Sequence, residues 1–99
     1  MNLTNIILEL EKVKHPTINC SLVKLGIVND IRLTDNKILV TFAFPYAKTS
    51  IADDVKISIE HKVRSLGFGF AYKTREMTEV ERARFTQAEI ESWKEKENE

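Results

Sequence analysis

The stretch Ile38 to Phe44, ILVTFAF, limits most strongly what this chain can fold into. Ile38, Val40, Phe42 and Phe44 alternate with Leu39, Thr41 and Ala43, the period of a β-strand with one strongly apolar face. Each large side chain on that face gains on the order of 2 kcal/mol when it leaves water, so the face must be covered. Upstream, Ile27 to Leu33 reads as a second strand. Thr34, Asp35 and Asn36 lie between the two and suit a tight turn, which makes the pair a hairpin. Pro45 ends the second strand.

The cover comes from two amphipathic helices. Leu3, Ile6, Ile7, Leu10 and Val13 recur at helical spacing and predict a helix over residues 3 to 13, stopped by Pro16 because the residue before a proline avoids helical angles. Ser50 followed by Asp53 has the form of a capping box. Behind it, Ile51, Ala52, Val55, Ile59, Val63 and Leu66 form one stripe, with Gly67 placed just past the helix end. Phe68, Phe70 and Tyr72 alternate with Gly69, Ala71 and Lys73, giving a third strand. Thr78 with Glu81 is a second capping box, opening a last helix to about Lys96. The order α-β-β-α-β plus a C-terminal helix predicts an α+β two-layer sandwich on a small three-stranded sheet, mainly antiparallel or mixed. Phe42 and Val55 should meet in its core. The other sheet face would carry Asp30, Arg32, Thr41 and Lys73, and the last helix either covers it or projects away.

At 99 residues there is room for one small domain and one core, with no second lobe to form a cleft. Residues 1–77 should be that domain and 78–99 a helical extension. With 42% hydrophobic and 30% charged residues, the chain is too apolar to be disordered. No apolar run approaches the roughly 18 residues of a membrane span. The acids in MNLTNIILELEK do not suit a signal peptide, so a cytoplasmic location is expected. Residues 1–75 hold eleven Lys/Arg against seven Asp/Glu and residues 76–99 hold four against eight, a +4 body with a −4 tail. No arginine-rich helix or aromatic platform points to nucleic acid.

Few residues can carry chemistry. The segment HPTINC holds one of two histidines and the single cysteine. Cys20 cannot form an internal disulfide, and one Cys with two His gives a poor ligand set for a metal within one chain. Read plainly, Cys20 is a small apolar residue at the strand entry, and His61 is a surface residue of the second helix. Lys48, Thr49 and Ser50, with Asp53 just inside the helix, offer a cation, hydroxyls and free amides at a helix N-terminus, which suits an anion or a partner. In the last helix, Val80, Ala83, Ile90 and Trp93 share a face while Phe85 points elsewhere. Ile90 and Trp93 are apolar anchors for a partner, or Trp93 docks on its own sheet.

Taken in order, HPTINCSLVKLGIVNDI, NKILVTFAFP and SIADDVKISIEHKVRSLG resemble the iron–sulfur cluster assembly domain of PaaD and SufT, also found at the front of Mrp/ApbC-type P-loop ATPases. The resemblance covers roughly residues 5 to 75. It implies a role in building or delivering iron–sulfur clusters or in maturing metal-dependent enzymes. Three positions depart from the family pattern. The acidic turn is His15-Pro16-Thr17, the following Asp is Lys24, and the loop cysteine is Thr49. A thiol before a helix is stabilised as the anion by the helix amides, and a threonine hydroxyl is not. The scaffold carries over while the thiol chemistry does not.

Three readings follow. The first is a non-enzymatic accessory protein of iron–sulfur cluster or metalloenzyme assembly, without a cofactor of its own, working through protein contacts, an Mrp/ApbC-type ATPase among the candidate partners. A second is a dimeric cluster or metal carrier using Cys20. A third is a small-anion or nucleotide-binding regulator using Lys48 to Ser50. No nucleophile with a neighbouring base can be named, so catalysis is not expected.

Overall fold

The computed structural model describes residues 1–46 and 49–97, the last five of them by backbone alone. Six elements follow in order: α1 (Leu3–Leu10), β1 (Val28–Thr34), β2 (Lys37–Phe44), α2 (Ala52–Ser65), β3 (Gly69–Glu76) and α3 (Glu79–Glu97). The sheet order is β1-β2-β3. β1 and β2 are antiparallel, joined by a tight turn in which Asp35 takes a left-handed φ of 53°. β2 and β3 are parallel, because α2 carries the chain back before β3 starts. The α+β architecture is as expected and the sheet is mixed.

α1 begins where the Asn2 side chain accepts the Asn5 amide at 2.9 Å, a polar cap of the usual kind. It ends three residues earlier than the apolar spacing predicts. Val13 leaves the helix because its carbonyl accepts the Leu22 amide at 3.0 Å, which ties the opening segment back on itself. α2 ends in a Schellman motif: Phe68 donates to the Val63 carbonyl and Gly67 to that of Arg64, with Gly67 at φ 90°.

The front of the sheet faces α1 and α2. Ile38, Val40 and Phe42 pack with Ile6 and Leu10 of α1 and Val55, Ile59 and Val63 of α2, all buried. Phe42 is the centre of an aromatic group, with edge-on neighbours Tyr72 at 5.7 Å and Phe70 at 6.4 Å. Tyr72 is half exposed at the β3 edge, where the Lys56 ammonium lies 5.4 Å from its ring.

The back of the sheet divides in two. In its upper half, Thr41 and Ala43 are buried as fully as the front-facing residues. α3 starts over this half, where Glu81 bonds to Asn29 and Arg75. In its lower half, Asp30, Arg32, Leu39, Ala71 and Lys73 line an open groove that reaches up to Thr41. A bulge in β1 bends the strand between these halves: Asn29 pairs with Thr41 and Arg32 with Leu39, and Asp30 sits in the extra space at φ 46°. The face of α3 turned inward is that of Phe85, buried in the common core with Met77 and flanked by Ala88 and Ser92. Val80, Ala83 and Ile90 face outward.

Candidate functional site

The segment after α1 is organised by His15. Its ring is buried, and Nδ1 accepts the amides of Thr17 and Ile18, each at 3.0 Å, with the Thr17 hydroxyl at 3.3 Å. The His15 amide in turn donates to the Cys20 carbonyl at 3.0 Å. Burial holds His15 below its ordinary pKa, with a smaller opposing pull from Glu89 of α3. His15 therefore does what an aspartate does in an Asx turn, accepting backbone amides two and three residues on. The role was not legible from sequence, because histidine has no particular preference for such turns.

Cys20 is half-buried and opens on a cleft lined also by Lys12, Lys14, Lys24 and Asn19 and by Glu91 of α3. Among the described residues no three His, Cys, Asp or Glu side chains gather as a metal-ligand set. An iron–sulfur cluster requires several thiolates. One thiol and two histidines, one of the latter committed to its own turn and the other exposed on α2, do not fit such a group within one chain.

The loop before α2 differs from expectation. Ile51 occupies the N-cap position in helical angles, with no side-chain hydrogen bond, so the Ser50/Asp53 capping box does not form. The chain already turns at Thr49, whose carbonyl takes the Ala52 amide at 3.3 Å, and Ser50 is left exposed one residue too early to cap. Asp53 and Asp54 lie in the first turn. They satisfy the positive end of the helix themselves and oppose a second anion there. Lys48 lies outside the described residues.

The second capping box does form. Thr78 donates its amide to Glu81 Oε1 at 2.9 Å, and its hydroxyl accepts the Glu81 amide at 3.2 Å. Glu81 also takes both guanidinium nitrogens of Arg75, at 2.7 and 2.8 Å, and the Asn29 side-chain amide at 3.1 Å. The Arg75 bonds, helped by the Thr78 amide, pull the Glu81 carboxyl down to about 2. One carboxylate thus joins the start of α3 to β1 and β3. One residue on, Arg82 donates to the Pro45 carbonyl at 2.9 Å.

α3 consequently touches two of the places that the sequence singled out. Its first turns hold the end of β2, where the loop to Thr49 and Ser50 begins, and its later turns border the Cys20 cleft. Ile90 stands on the opposite side and is 45% exposed. The Trp93 side chain lies outside the described residues. Among the described residues no nucleophile is paired with a base at these places.

A helix-hairpin-helix-strand domain with this mixed sheet is the scaffold seen in a crystal structure of a domain of unknown function, DUF59, from Bacillus anthracis. The two share 16% sequence identity at a TM-score of 0.71, over 89% of this chain and 88% of that one. The family model described as iron–sulfur cluster assembly protein matches residues 4–69. The chain belongs to that family. No curated protein matches it. α3 lies wholly beyond the matched residues.

Proposed function

We propose that the protein is a non-enzymatic accessory factor of iron–sulfur cluster or metalloenzyme assembly that works by binding another protein through the outer face of α3. Family membership supports the assembly role. The observation that carries the contact surface is the exposure of Val80 and Ile90, at 61% and 45%, on a helix beyond the residues that the family model matches. Large aliphatic side chains left in water on one helix face are natural anchors. Acids Glu79 and Glu91 beside them would set orientation and encounter rate with a basic partner surface. The partner class best suited to the family is an Mrp/ApbC-type P-loop ATPase.

Titration calorimetry of the chain against a purified ATPase of that class from the same cell tests the reading. The expected result is binding that weakens at least tenfold in the double variant Val80→Glu, Ile90→Glu, since each lost anchor removes about 1 kcal/mol or more. Glutamate favours helix, so the melting temperature should hold within a few degrees. Equal binding by wild type and variant would remove α3 as the surface. No binding by wild type would remove the ATPase as the partner.

A further inference from the structure

We propose that His15 is a proton-operated latch, closed when its ring is neutral and opened by protonation, which controls the turn beside the cleft that Glu91 and Ser92 of α3 border. Two amides point at Nδ1 from 3.0 Å, so that nitrogen carries no proton and the neutral ring keeps its proton on Nε2. Protonation places an N–H where two N–H groups already converge. Three donors cannot face one another in a buried site, and the ring must leave or the turn Pro16–Ile18 must open.

The consequence reaches past the turn. Ile18 is part of the buried core, and the His15 amide bonds to Cys20, on the cleft that Glu91 and Ser92 of α3 border. Opening the turn disturbs the cleft that Glu91 and Ser92 border. The surrounding charges act in both directions. Glu89 of α3 faces the ring and favours the proton, while Lys12, Lys14 and Lys24, offset by Glu11 and Glu91, line the adjoining cleft. Burial outweighs Glu89, so the folded chain resists the proton more than the unfolded chain does. The stability that the latch contributes is therefore complete above about pH 6.5, the ordinary histidine value. It is lost as the pH falls from there through the lower folded value.

Nuclear magnetic resonance on the full chain tests this. At neutral pH the ring nitrogens of His15 should show the Nε2–H tautomer. On acidification, the amide signals of Thr17 and Ile18 should move with the His15 midpoint, below 6.5, and those of Ala88 and Ser92 with them. In urea the wild-type midpoint should fall between pH 7 and pH 5. In His15→Asp, whose carboxylate still accepts amides and does not titrate in that window, it should stay level. Glu89→Gln should carry the wild-type loss to lower pH. An Nδ1–H tautomer, amide signals that ignore the ring, or a parallel fall in His15→Asp would overturn the latch. If His15→Asp does not fold, the tautomer and the amide titration decide the matter on the wild type alone.

Discussion

On the front of the sheet, Phe42 is wrapped by Val55, Ile59, Val63, Ile6 and Leu10, all fully buried. On the back, α3 is fastened mainly by charged and polar bonds, with Glu81 reaching Arg75, Asn29 and Thr78 and with Arg82 reaching the Pro45 carbonyl. Phe85 and Met77 are its apolar share. The two faces should respond differently to conditions. Apolar burial does not titrate and is not weakened by charge screening, and it supplies most of a small domain's stability. A carboxylate hub gives position and direction, is partly screened by salt, and depends on pH. The front makes the domain stable, and the back sets where α3 sits.

Three substitutions sharpen that contrast, from the largest effect down. Phe42→Ala should cost roughly 3 to 5 kcal/mol in chemical denaturation, a large part of the 5 to 15 kcal/mol that such a domain has in total. A loss under about 1 kcal/mol would mean that the front is not the stabilising face. Phe85→Ala should cost about 3 kcal/mol, the low end of the same range, since that ring is 8% exposed. If the loss is negligible, α3 rests on its polar bonds alone. Glu81→Gln should cost about 1 kcal/mol, the scale of a lost helix cap, with hydrogen exchange rising first in the opening turn of α3.

The Glu81 effect has a definite pH dependence. The folded carboxyl lies at about 2 against an ordinary 4.5. Its contribution is present above that ordinary value and disappears as pH falls through about 2. Wild type and Glu81→Gln should thus differ at pH 6 and converge near pH 2. A difference unchanged by pH would make Glu81 a spacer rather than a charge.

How much of this could be read in advance depended on how local each signal was. The helices and strands on the front were legible because alternation and stripe both report a single buried face, as Ile38 to Phe44 and Val55 to Val63 show. The Thr78–Glu81 box was legible for the same reason, its two partners lying three residues apart. The Ser50–Asp53 box has the same pattern and fails, because the loop turns at Thr49 and leaves Ser50 outside the helix start. In α3 the outward stripe of Val80, Ala83 and Ile90 resembles a core stripe as closely as the inward one does, and only the neighbouring sheet makes Phe85 the buried side.

Sequence by itself determined the element order, the front core around Phe42, the α+β class and the family scaffold, since these rest on short-range spacing and on apolar area that must leave water. Only the tertiary structure decided the facing of α3, the gathering of Arg75, Asn29 and Thr78 on Glu81, and the use of His15 as an amide acceptor. Each of those is a meeting of polar groups brought together by the path of the chain, and a hydrogen bond between Asn29 and Glu81 leaves no periodic trace in either segment.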